Sequence, residues 1–331
     1  MSLAEALLAL MWVGVTLYAV FAGADFGAGA WDLLAGGPEE GAERRARIER
    51  SIAPVWEANH VWLIFVLVVL WTGFPRAFAA VASTLYLPLT AVAIGIILRG
   101  SAFVFRKQFH SVRARRAFGA AFAASSVITP FFLGVIAGAV ASGRIDPAGD
   151  IDVVGSWTSP TSLFGGVLAV LVCAHLAAVF LTADADRAGE TDLVEWFRTR
   201  AILSGAVTGL TTFAGVAVLH ADARHLFDGL TDRGLALMVL SAVGGIATLV
   251  LLARRRCRLA RVAAVTAVVA VIWGWAAGQY PEILVDHLTI EEAAGARATL
   301  QAMVWSLAVG AAIFAPPLVY LLRSAAKGDL E

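Results

Sequence analysis

Glu57, Asn59 and His60 stand close together at the start of SIAPVWEANHVWLIFVLVVL, residues 51–70. Glu57 and His60 are three apart and share one face of a helix. A carboxylate beside an imidazole, with an amide to orient it, is a set that can relay protons near neutral pH. A second carboxylate, Asp25, sits in AGADFGAGAWD, residues 22–32. An ionisable group at the centre of a membrane span costs about 2.5 kcal/mol or more. Asp25 and Glu57 are therefore read as functional. Two blander alternatives stand beside this. Asp25 could be satisfied structurally by a neighbouring backbone or Arg, and the Glu57–His60 patch could tie two subunits together.

Positioning these groups falls to apolar helices. The chain has 331 residues, 60% hydrophobic and 15% charged, with a mean hydropathy of +0.80. Soluble domains run at about 45–50% apolar and about 25% charged. The fold class predicted is an all-α integral membrane protein, a single polytopic domain over residues 1–331. A span needs about 20 apolar residues. Nine runs are expected to be transmembrane helices: 5–34, 52–72, 77–98, 117–141, 160–182, 200–220, 233–252, 261–280 and 299–322. The first lacks a basic leader and a small-residue cleavage site, so it is expected to be retained.

Lys and Arg set the direction. The connections after spans 1, 3, 5 and 7 and the C-terminal tail hold 20 of the 25 basic residues. This split predicts the N-terminus outside and the C-terminus in the cytoplasm. Asp25 then lies near the cytoplasmic end of span 1. Glu57 lies about 8 Å into span 2 from the same side, at 1.5 Å per residue. The two carboxylates are expected at similar depth on consecutive helices.

Gly23 and Gly27 form a G-x-x-x-G, extended by Gly29, which suits close helix contact. With Trp56 they form the expected packing interface. His175, inside span 5, has the type of a haem ligand, but is read as hydrogen-bonded to a neighbouring helix. Arg99 could snorkel or pair with Asp25 or Glu57. Asp184 and Asp186, near Arg187, read as an interfacial charge cluster. Cys173 and Cys257 read as unpaired. No metal site and no nucleic-acid partner are expected: the net charge is zero, and there is no Walker motif, H-E-x-x-H or Cys cluster.

With these residues in hand, the chain resembles subunit II of the cytochrome bd quinol oxidases, including the cyanide-insensitive type. GADFGAG, with Asp25, is similar to that family's GFDxGxG. SIAPVWEANHVWL is similar to its N-S-I-x-P-x-W-[DE]-x-N-x-x-W-L, through Trp56, Glu57, Asn59 and Trp62. Tyr280–Pro281 and the later LTIEEAA are similar to a third segment. Arg50, Ala24 and His60 depart from the usual residues.

The resemblance implies a partner, the homologous subunit I, which carries haem b and haem d and the quinol site. Quinol would be oxidised there and dioxygen reduced to water. This chain would hold no tightly bound cofactor and no catalytic residue. It would supply a cytoplasmic proton path through Asp25, Glu57, Asn59 and His60. In some members a quinone serves as a structural lipid. The expected location is a bacterial or archaeal plasma membrane, in contact with lipid. The alternative is a secondary transporter or channel using Asp25 and Glu57. Transporters of that kind show broken spans in both halves, and the strong breakers here, Pro88 and Pro316–Pro317, do not correspond.

Overall fold

The computed structural model describes residues 1–37, 39–52, 56–109, 111–148 and 152–327. Within these, the side chains of 56–58, 107, 112, 115, 116, 314, 315, 318, 319 and 321–327 are not described.

Helix α1, Leu3–Leu33, opens on a capping box: Ser2 N–H donates to Glu5 Oε2 at 2.7 Å, and Glu5 N–H donates to Ser2 Oγ at 3.1 Å. These bonds satisfy two donors that a helix start leaves free. The basic helix α2, Ala42–Ile52, is followed by α3, Trp56–Gly73, and α4, Pro75–Thr84. Pro75 at the first position of α4 cannot donate to the preceding turn, and α3 and α4 meet at 117°. Helices α5, Tyr86–Gln108, and α6, Val112–Ala141, follow as a packed pair.

Helix α7, Pro160–Ala188, is capped by Ser159, whose Oγ accepts from Ser162 N–H at 3.1 Å. It ends at Gly189, whose φ of +73° is the left-handed conformation that glycine adopts without steric cost. Helices α8, Thr191–Asp222, α9, Arg224–Thr231, α10, Leu235–Ala253, and α11, Cys257–Gln279, come next. A short antiparallel hairpin, β1 (Glu282–Leu284) and β2 (Leu288–Thr289), then leads through α12, Ile290–Ala293, into α13, Arg297–Lys327.

The architecture is helical, as expected, with that one hairpin added. Among the described residues, seven helices are long and apolar enough to cross a membrane, or eight if the bent α3–α4 pair counts as one span. The expected span over 77–98 needs correction. A break at Leu85 divides it, and the helix that meets the length and polarity requirement there is Tyr86–Arg106. Ser83 Oγ donates to the carbonyls of Ala79 and Ala80 just before that break, the kind of back-bonding that bends helices.

Helix α1 lies at the centre, against α3, α6 and α7. Its small residues allow this. A Cβ on Gly27 would stand 1.8 Å from the Cys173 carbonyl oxygen of α7, and one on Gly29 would stand 2.1 Å from Ser126 Oγ of α6. The outer helices present apolar side chains outward: Leu210 and Phe213 on α8 are 73% and 81% exposed. Such a surface suits lipid or a partner subunit, since water would not stabilise it.

Candidate functional site

Arg99 reaches from α5 to Asp25 on α1. Its Nη2 donates to Asp25 Oδ1 at 2.5 Å and to the Asp25 carbonyl at 2.9 Å. Its Nη1 donates to Ser126 Oγ, and Ser126 Oγ in turn donates to the Phe122 carbonyl at 2.6 Å. The rings of Phe26 and Phe122 lie 5.0 and 4.5 Å from the guanidinium carbon. The guanidinium is thus enclosed by a carboxylate, a hydroxyl and two aromatic faces, which offset its lost hydration. Asp25 Oδ2 is buried with no hydrogen-bond partner among the described residues.

Seven residues further along both helices the pairing repeats. Arg106 Nη1 donates to Asp32 Oδ2 at 2.8 Å, and Nη2 to Oδ1 at 3.3 Å. Two turns of parallel helices bring the same faces back together, so α1 and α5 run in the same direction and carry a two-rung ladder. From sequence Arg99 can snorkel or pair with Asp25 or Glu57, and the second rung is not expected. Its signal was present: Asp25 and Asp32, like Arg99 and Arg106, are spaced by seven.

Asn59 is buried, and its Nδ2 donates to the Phe21 carbonyl at 3.4 Å. This ties α3 to α1, one turn from Asp25. His60 is half-buried, its ring 6.5 Å from that of Tyr18 in an edge-on arrangement. Glu57 and Trp56 belong to the first turn of α3, but their side chains lie outside the described residues. The register still places the Glu57 backbone. With Asn59 opposite Phe21 on antiparallel helices, Glu57 and Asp25 differ in depth by about 3 Å at 1.5 Å per residue. Gly23, Gly27 and Gly29 pack against helices of this same chain.

The other candidates separate cleanly. His175 Nδ1 lies 3.1 Å from the Ala201 carbonyl of α8, and a Cβ on Gly205 would stand 2.6 Å from its ring. The ring is packed against the backbone of α8 through its Nδ1 side, the helix-to-helix contact expected of it. Asp184 pairs with Arg261 at 3.1 Å rather than with Arg187. Cys257 begins α11 and is buried, and both cysteines are free. His225, Glu282 and Asp286, far apart in sequence, come together at the opposite end of the bundle.

These features define a class: a multi-pass helical membrane subunit whose central helix carries buried, Arg-paired carboxylates. A family model described as cytochrome bd terminal oxidase subunit II matches residues 3–325. The chain belongs to that family.

Cytochrome bd ubiquinol oxidase subunit 2 of Bacillus subtilis (strain 168) is 32% identical over 178 residues, 53% of this chain and 51% of that protein. Cytochrome bd-I ubiquinol oxidase subunit 2 of Escherichia coli (strain K12) is 30% identical over 219 residues, 63% of this chain and 55% of that one. The matched segments thus span little more than half the length of these two relatives. The bd oxidase structure from Geobacillus thermodenitrificans shares the fold, with a TM-score of 0.81 and 24% identity, covering 98% of each chain. The chain is a multi-pass protein of the bacterial plasma membrane.

Proposed function

We propose that this chain is subunit II of a bd-type quinol oxidase, acting with a haem-bearing subunit I in quinol oxidation coupled to reduction of dioxygen to water. The match to the subunit II family over residues 3–325 carries this reading. Haem b, haem d and the quinol site are assigned to subunit I. In support, His175, inside α7, contacts the Ala201 carbonyl of the neighbouring helix α8 through Nδ1.

The contribution of this chain is structural support and proton supply. Reducing one dioxygen to two waters consumes four electrons, which two quinols provide, and four protons, which this path would draw from the cytoplasm. The proposed path enters at the cytoplasmic edge through Glu57, with Asn59 and His60 following along α3 and Asp25 at matching depth on α1. The free Oδ2 of Asp25 is the atom able to accept a water or a proton while Arg99 holds Oδ1. The transporter alternative gains no support, because the family match is to an oxidase subunit.

Nine spans are part of the same proposal: the seven helices, the bent α3–α4 pair and the 31-residue α13. The asymmetry of Lys and Arg favours the N-terminus outside and the C-terminus inside.

The test is reconstitution. Membranes holding both subunits should consume oxygen on addition of quinol, and membranes holding either alone should not. Oxygen uptake by this chain alone, or haem bound to it alone and lost in His175→Ala, would reverse the roles given to the two subunits.

A further inference from the structure

At the end of the bundle that carries Glu5 and Tyr280, three metal-ligating side chains converge from separate elements. His225 comes from α9, Glu282 from β1 and Asp286 from the turn between β1 and β2. All of α10 and α11 separates the first from the other two. One donor atom of each lies within 4.8 Å of the others.

The distances are informative. His225 Nε2 stands 3.6 Å from Glu282 Oε2, and Nδ1 stands 3.9 Å from Asp286 Oδ1. Hydrogen bonds run at about 2.7–3.2 Å, so neither contact is one. Two ligands each about 2.1 Å from one tetrahedral ion stand about 3.4 Å apart. One ion takes one ring nitrogen, so the Nε2–Glu282 distance is the one that matches, and Asp286 would swing its carboxylate round to the Nε2 side. Nε2 is also closed to solvent, with no hydrogen-bond partner among the described residues. The carboxylate opposite it is held in place, because Asp286 N–H donates to Glu282 Oε2 at 2.7 Å.

The backbone beneath is fixed. Ile283, Leu284 and Val285 are buried on the hairpin, as is Leu226 beside His225. Helix α9 is seated on α11 so closely that a Cβ on Gly229 would stand 1.9 Å from the Gly278 carbonyl oxygen. Only the carboxylate of Asp286, 71% exposed, has freedom to swing.

We propose that His225, Glu282 and Asp286 form a divalent-cation site suited to zinc, with a fourth position open to water. One imidazole with two carboxylates matches the ligand preference of zinc, whereas calcium and magnesium favour oxygen alone. The ion would staple α9 to the hairpin. This site lies outside the carboxylates of the proposed proton path and does not rest on the oxidase reading. It also departs from the sequence expectation of no metal site.

The test uses the full-length chain purified with its associated subunits, stripped with EDTA and titrated with Zn²⁺ alone. Wild type should retain one more zinc per chain than His225→Asn. Apparent zinc affinity should fall at least tenfold in His225→Asn and in Glu282→Gln. Asp146→Asn, which removes a carboxylate 3.9 Å from the neighbouring His287, should bind zinc as wild type does. Zinc should raise the thermal midpoint of wild type and not that of His225→Asn. Asp286→Asn, at the exposed carboxylate, gives the same comparison if the half-buried variants fail to assemble. Equal zinc in wild type and Asp286→Asn, with no midpoint shift in either, overturns the site. Zinc lost equally in Asp146→Asn overturns its assignment to these three residues.

Discussion

Asp25 on α1 and Arg99 on α5 meet at 2.5 Å with side chains only 1% and 3% exposed. Taking both charges out of water is costly, and their attraction compensates only when the remaining donors are also matched. Here the Asp25 carbonyl, Ser126 Oγ and two aromatic faces complete the shell. The pair fixes the rotation of α1 relative to α5, and so fixes where Asp25 points.

Removing one partner should hurt more than removing both. Arg99→Met leaves a buried carboxylate without its counter-ion and should destabilise by about 3–5 kcal/mol. Arg99→Met combined with Asp25→Leu should recover part of that loss. The measurement is the thermal midpoint and yield of the purified chain with its associated subunits. A double variant as unstable as the single would mean that the pair is not the source of the cost.

Gly27 and Gly23 should respond oppositely to added bulk. A Cβ on Gly27 meets the Cys173 carbonyl oxygen at 1.8 Å, whereas one on Gly23 meets only side-chain atoms at 3.5 and 3.6 Å. Gly27→Leu must push α1 off α7 and should cost more than the 1–3 kcal/mol typical of about one or two extra methylenes in a packed core. Gly23→Ala should be tolerated. Membrane yield and detergent stability of the two variants check this. Normal assembly of Gly27→Leu would rule out the close crossing.

Much of the helical layout was legible because long apolar runs leave few alternatives in a membrane. The break at Leu85 was not, since AFAAVASTLYLPL reads as one nearly continuous apolar run in which only Ser83 and Pro88, in the first turn of α5, hint at the bend. Asp25 was found from its position among glycines. Its partner could not be chosen, because Arg99 is 74 residues away and side-chain direction is a tertiary property. His225, Glu282 and Asp286 gave no sequence pattern at all. Their meeting depends on how α9 seats on α11 and how the hairpin folds back, neither of which has a local signal.

Glu190, in the turn between α7 and α8, links those helices to α2. Arg47 Nε donates to Glu190 Oε2 at 2.6 Å, and Arg50 Nη2 to Oε1 at 3.2 Å. The hydrogen bonds from Arg47 hold the carboxyl below its ordinary range. A lowered folded-state pKa stabilises the fold above the unfolded value of about 4.3, and that contribution is lost as pH falls through the lower folded value. Glu190→Gln should therefore reduce stability near neutral pH by about 1 kcal/mol or less, given its partial exposure. The difference from wild type should fade as pH drops below about 4. Thermal midpoints across that range decide it; a deficit that persists unchanged in acid would mean that charge is not the cause.

Glu57 and Asp25 should serve a single proton path. Glu57→Gln and Asp25→Asn remove ionisation with little change of shape, and Asn at 25 still offers Arg99 an acceptor oxygen. Each should slow quinol-driven oxygen uptake per haem in the assembled complex while leaving haem content near normal. The double variant should be little worse than the slower single one, because groups acting as a unit are not additive. His60→Ala tests the next step along α3 and should likewise slow uptake per haem while leaving haem content near normal. The measurement is oxygen uptake per haem from about pH 6 to about pH 8. Wild-type turnover in both carboxylate variants throughout that range would remove the path. Loss of haem and of the partner subunit in step with turnover would instead make these carboxylates part of the scaffold, as the enclosure of Asp25 by Arg99 alone would allow.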